Sequence, residues 1–115
     1  MPSETSLKNL DLTLLAQRLG RLCKQLDVEV TTAESCTGGG IASAITEVAG
    51  SSAYFTTGYV TYANAAKTRL LGVPEAMLAE HGAVSKEVVK AMVLGACNES
   101  GAGLSVAVSG IFFFF

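Results

Sequence analysis

The stretch Thr31–Gly40, T-T-A-E-S-C-T-G-G-G, decides how the rest of the chain is read. Val28, Glu29 and Val30 enter it as a β-like run, and a helix-like pattern leaves it from Gly39, so the stretch is a strand-to-helix turn. A serine at such a turn can stand clear of the backbone. The glycines and small residues around it let a ligand approach the amide N–H groups of the helix start, where an anion or a developing oxyanion is favoured. Ser35 is therefore the candidate nucleophile, with a plain helix-capping serine as the alternative. The stretch is not a nucleophile elbow, because Ala33 and Thr37 stand where G-x-S-x-G needs glycine. It is not a phosphate-cradling P-loop either, because Ile41, not lysine, follows the glycines.

Working outward, Val28–Thr32 reads as a strand and Gly39–Val48 as a helix burying Ile41, Ala42, Ile45 and Val48. Tyr54–Tyr62 is a second strand, with Gly58 marking a bulge or a close backbone approach. Upstream, Leu12, Leu15, Leu19, Leu22 and Leu26 recur at steps of three and four along a helix from Leu10 to Leu26. Such a stripe is read as packing on its own domain in preference to forming a dimer seam. Downstream, Asn64 caps a helix that carries Lys67 one turn in and ends at Gly72. Pro74–Ala79 is a short helix closed by Gly82. Ser85 caps a helix from Lys86 to Ser100 with Val88, Val89, Met92, Val93 and Ala96 on its apolar face, and Leu104–Val108 is the third strand. The order α-β-α-β-α-α-α-β predicts an α/β layered fold with helices on both faces of a sheet. Residues 1–115 are expected to form a single domain, with 1–9 a flexible N-terminus and 112–115, F-F-F-F, an atypical tail.

Half of the 115 residues are hydrophobic and 16% are charged, which favours an ordered globular domain over disorder. The net charge of -2 and the scattering of the eight basic residues argue against a nucleic-acid surface. Three cysteines without C-x-x-C or Cys/His spacing indicate neither a disulfide framework nor a zinc site. No basic, then apolar, leader opens the chain and no run is long enough to span a membrane, so a cytoplasmic protein is expected.

A serine nucleophile needs a base. His81 is the sole histidine, but it sits in A-E-H-G at the end of a short helix, where a capping role is the simpler reading. Cys36 is a rival nucleophile without a local partner and is read as a small packing residue. Lysine is the other route, since a lysine in a semi-apolar site can lose its proton near neutral pH and serve a serine as base. Lys67 follows the aromatic strand end Val60-Thr61-Tyr62 and is the candidate, although a solvated helix lysine is the simpler reading of its position. Tyr62 can donate a hydrogen bond to the site or simply pack.

Five motifs in order carry a family resemblance: A-E-S-C-T-G-G (Ala33–Gly39), G-S-S-x-x-F (Gly50–Phe55), G-Y-V-T-Y-x-x-x-x-K (Gly58–Lys67), L-G-V (Leu71–Val73) and H-G-A-V-S (His81–Ser85). From about Leu10 to Ile111 the chain closely resembles the CinA C-terminal domain family, the nicotinamide mononucleotide amidohydrolases also called PncC. The resemblance implies a three-layer α/β/α sandwich with a mixed central sheet. It implies hydrolysis of the carboxamide of nicotinamide mononucleotide to nicotinate mononucleotide and ammonia, a small-molecule nucleotide substrate, and no metal or other cofactor. By motif position Ser35 matches the nucleophile and Lys67 the general base, with Tyr62 beside them. Thr37, Gly38 and Gly39 would hold the oxyanion, and Ser109 and Gly110 would begin a substrate-facing loop.

The chain departs from the family pattern after Ile111, where Phe112–Phe115 replace a glycine- and proline-rich loop and the elements that follow it. The expectation is an exposed sheet edge, a tendency to self-associate, for instance as a dimer, and weak or absent turnover by these 115 residues alone. A non-catalytic nucleotide-binding or regulatory module stays open as the second reading.

Overall fold

The computed structural model describes residues 4–114, with side chains described from 12 to 111. Helix α1 (Glu4–Leu26) leads into strand β1 (Val30–Glu34), helix α2 (Gly40–Thr46) and strand β2 (Phe55–Val60). Helices α3 (Asn64–Leu71), α4 (Glu75–His81) and α5 (Lys86–Ser100) follow, then strands β3 (Leu104–Val108) and β4 (Phe112–Phe114). The fold is α/β, and the expected order of elements holds up to β3. The boundaries move slightly: β1 lies two positions further on than the apolar run suggested, because Thr31, Thr32 and Glu34 are buried despite their polarity.

The strand order is β2-β1-β3-β4. Strand β1 is central and pairs in parallel with β2 on one side and β3 on the other. Its side chains alternate between faces. Ala33 joins a cluster with Leu71, Val89, Met92 and Ala107 from α3, α5 and β3 and with Val73 from the connection after α3. Val30 joins a second cluster with Cys23, Ile45 and Tyr54 on the opposite face. The apolar face read for α5 is correct throughout: Val88, Val89, Met92, Val93 and Ala96 are fully buried. Ser85 caps that helix, its Oγ accepting from the Val88 N–H at 3.2 Å.

Of the two readings made for Gly58, the irregular register is the one observed. The β1–β2 register slips between Val30 and Thr32, and a Cβ on Gly58 would stand 2.7 Å from Thr32 Oγ1. The atoms that a Cβ there would meet belong to the side chains of Thr32, Phe55 and Ala42, so glycine leaves room for them.

Three expectations are corrected. Of the leucine stripe of α1 only Leu19 packs inward, against the second cluster: Leu12, Leu15, Leu22 and Leu26 are exposed, while Ala16, Gly20 and Cys23 are buried. The small residues face the sheet because the Tyr54 ring lies against Gly20, where a Cβ would collide with its hydroxyl. Helix α1 also starts at Glu4, ahead of the Leu10 expected, and residues 1–3 lie outside the described residues. Finally, three strands were counted from the sequence, but Phe112–Phe114 form a fourth that pairs antiparallel with β3 through Val106–Val108. Phe115 lies outside the described residues. Among the described residues no helix is long and apolar enough to cross a membrane.

Candidate active site

The parallel strands β1, β2 and β3 all end at the same edge of the sheet, and the chain leaves them at Ser35, Thr61 and Ser109. Hydrogen bonds continue the ladder one step past the strands: the Ser35 N–H donates to Val108 O at 3.0 Å, and the Thr61 N–H donates to Glu34 O at 2.8 Å. Strand β1 has neighbours reached by connections on either side, so its C-terminal end is a topological switch point. Open α/β sheets bind ligands in the crevice at such a point. Ser35 occupies it.

Lys67 reaches the same place from the first turn of α3. Its side chain is completely buried. Nζ lies 3.0 Å from Ser35 Oγ, 2.8 Å from Thr61 O and 3.1 Å from Tyr62 O. No carboxylate is within bonding distance of Nζ among the described residues. Burial pushes the Lys67 ammonium below the usual lysine range, and the Cys36 thiol, when ionised, acts in the opposite direction. The geometry therefore joins a hydroxyl to a desolvated amine whose other partners are both backbone carbonyls.

Tyr62 contributes to this cluster through its carbonyl, while its side chain is 79% exposed. Thr37, Gly38 and Gly39 form the turn ahead of α2, with Gly38 at φ 60° and Gly39 at φ 101°, backbone that glycine adopts readily. Among the described residues no hydrogen bond engages the N–H groups of Cys36, Thr37, Gly38 or Gly39. The Thr37 hydroxyl is engaged, donating to Glu34 Oε1 at 2.6 Å. Ser109 is buried and its hydroxyl donates to Ala83 O at 2.8 Å. The Gly110 N–H points at Cys36 Sγ, 3.2 Å away, which brings the turn after β3 beside the residue following Ser35. His81 is elsewhere: its ring nitrogens lie 3.8 Å from Glu80 and 3.7 Å from Glu87 at the surface.

Two contributors escaped the sequence reading. Thr61 supplies the shortest bond to Lys67 through a backbone carbonyl, which no side-chain motif reveals. Glu34 is fully buried beside Ser35, and it is the one charged residue in an otherwise small, uncharged stretch, which is the signal that was available. A cavity of about 440 Å³ between α1 and α2, lined by Leu12, Ala16, Ser43 and Glu47 among others, touches neither Ser35 nor Lys67.

Residues 12–112 match the family model described as the CinA C-terminal domain. The chain belongs to the CinA C-terminal domain family. Within it, the chain is 63% identical over 100 residues to the nicotinamide-nucleotide amidohydrolase PncC of Pseudomonas putida, covering 87% of this chain and 62% of that protein. It is 58% identical to a CinA-like protein of Geobacter sulfurreducens over 81% of this chain and 22% of that one. The crystal structure of the competence/damage inducible protein CihA from Agrobacterium tumefaciens superposes with a TM-score of 0.85 at 48% identity, over 88% of this chain and 61% of that one. The chain thus spans about three-fifths of the length of its PncC relative and under a quarter of the CinA-like one.

Proposed function

We propose that the chain carries the serine–lysine centre of an amidohydrolase that converts nicotinamide mononucleotide to nicotinate mononucleotide and ammonia. The observation that carries this reading is the 3.0 Å contact between Lys67 Nζ and Ser35 Oγ at the switch point of the sheet. The PncC relative's name supports the substrate. A neutral amine has two N–H donors and one lone pair. With the carbonyls of Thr61 and Tyr62 accepting the two N–H groups, the lone pair faces the Ser35 hydroxyl.

In the reaction, Lys67 takes the Ser35 proton as Oγ bonds to the carboxamide carbon, whose oxygen gains the charge. The free N–H groups of the turn from Cys36 to Gly39 stand ready to stabilise that oxyanion. Lys67 returns the proton to the amide nitrogen, the C–N bond breaks and ammonia leaves. Water, deprotonated by Lys67, then cleaves the acyl–Ser35 ester and releases the carboxylate. Tyr62 serves through its carbonyl, which orients Lys67, and Gly110 borders the site across from the turn. No metal or cofactor enters this scheme.

For the whole domain we adopt the three-layer sandwich with a mixed sheet, a reading supported by the antiparallel pairing of β4 and the clusters on opposite faces of β1. The cytoplasm is the setting we favour, in keeping with three free cysteines.

The test is ammonia release from nicotinamide mononucleotide by wild type, Ser35→Ala and Lys67→Ala. Release that requires both side chains supports the centre. Binding of the nucleotide without release by any variant, wild type included, would leave a non-catalytic binding module. Loss of release in His81→Ala with retention in Lys67→Ala would transfer the base to His81.

A further inference from the structure

We propose that Glu34 is a positioning residue for Ser35, an inference that rests on the serine–lysine reading above. Glu34 and Ser35 are adjacent at the end of β1, so the alternation of a strand sends their side chains to opposite faces. Ser35 turns to Lys67 on α3, and Glu34 turns to the start of α2. The Glu34 carboxylate is fully buried, and burying it is costly unless hydrogen bonds replace its water. Three do. Oε1 accepts from Thr37 Oγ1 at 2.6 Å and from the Ile41 N–H at 2.8 Å, and Oε2 accepts from the Ala42 N–H at 3.0 Å.

These bonds tie both ends of the turn to one side chain. The residue before the nucleophile holds the residue two after it and the first turn of α2, so Ser35–Gly40 is closed into a loop braced on β1. The Val108 carbonyl fixes Ser35 from the other side through its N–H. A second consequence concerns charge. The N–H groups of Ile41 and Ala42, which an external anion would otherwise seek, already serve an internal carboxylate. What remains for the substrate's developing oxyanion is the turn itself, with Ser35 at its start. Glu34 thereby holds the nucleophile in line with Lys67 and confines the oxyanion-binding donors to the turn.

The experiment measures the rate at which a fluorophosphonate probe labels Ser35, followed by intact mass. In this reaction the Oγ–P bond forms, fluoride leaves and Lys67 accepts the serine proton, so the readout needs no turnover. Wild type, Lys67→Ala, Glu34→Gln and Thr37→Val are compared across pH at a temperature where circular dichroism finds each folded. Gln keeps the shape of Glu34 but presents an NH₂ group to one of the three donors, and Val removes the Thr37 bond alone. We expect labelling ~10–100-fold slower in Glu34→Gln, as misplacement of a reacting group allows. In Thr37→Val we expect it ~3–10-fold slower, the worth of about one hydrogen bond. The pH inflection that depends on Lys67 should be retained in both.

A purely structural Glu34 would lower the unfolding temperature and leave the labelling rate of folded protein unchanged. Labelling of Glu34→Gln within about twofold of wild type overturns the inference while leaving the dyad intact. If Glu34→Gln does not fold, Thr37→Val decides by the same criterion. Equal labelling of wild type and Lys67→Ala, by contrast, removes the dyad and this inference with it.

Discussion

Lys67 Nζ and Ser35 Oγ, separated by 32 positions in the chain, stand 3.0 Å apart at the C-terminal edge of the sheet. Charge and basicity at Nζ can be separated by Lys67→Arg, which keeps a cation but cannot give up its proton in this range. If Lys67 acts as base, the arginine variant should lose ~10²–10⁴-fold in the rate of Ser35 acylation or of ammonia release. Retention of more than about a tenth of the wild-type rate would point to an electrostatic role.

The depressed basicity of Lys67 gives stability a defined pH dependence. Its pKa is lowered in the folded state by burial, against an ordinary value of ~10.4 in the unfolded chain. Between those two values the unfolded chain holds a proton that the folded one lacks, so stability rises with pH across that window. Below the folded value the penalty of a buried ammonium is present in full. Denaturant midpoints measured upward from pH 7 should rise more steeply in wild type than in Lys67→Met. Parallel curves would contradict the burial effect. Reactivity of Ser35 should climb with the same sign, since only the neutral amine accepts its proton.

Helix α5 crosses α3 at Gly95, where a Cβ would run into the Leu71 carbonyl oxygen. Alanine in place of a helical glycine normally stabilises by about 1 kcal/mol. Here the obstacle is backbone and cannot rotate away, so Gly95→Ala should destabilise by ~1–3 kcal/mol. Urea unfolding checks this, and a midpoint equal to or above that of wild type would be incompatible with the close crossing.

The outward leucines of α1 make a contrasting prediction. Leu15 and Leu22 are 58% and 52% exposed, so changing either to Gln should alter stability by no more than ~0.5 kcal/mol. Ile45→Ala, in the cluster beneath the same helix, should cost ~2–5 kcal/mol. Losses of similar size at Leu15 and Ile45 in thermal or urea unfolding would mean that the leucine stripe is buried after all.

The error over that stripe shows where sequence periodicity stops being informative. Leu12 to Leu26 and Ala16, Gly20 and Cys23 have the same helical spacing, and hydrophobicity alone favours the leucines. What selects the small residues is the Tyr54 ring from a distant segment, which leaves no room for a larger side chain at Gly20. In α5 no such conflict arises, because the apolar face is also the one that fits, and its five predicted core residues are all buried.

By itself, the sequence determined the α/β order of elements, the caps at Ser85 and Gly72, the strand-to-helix turn around Ser35 and, through its ordered motifs, the CinA family. These are local in the chain or additive along it, so they survive without coordinates. Only the tertiary structure decided that Lys67 touches Ser35, that Thr61 and Tyr62 meet it with carbonyls, that Glu34 is buried and that Phe112–Phe114 pair with β3. The first three depend on parallel strands ending at one edge, the last on an antiparallel return, and two of them rest on backbone groups that every residue possesses. A sequence of side chains does not say which of those groups will meet.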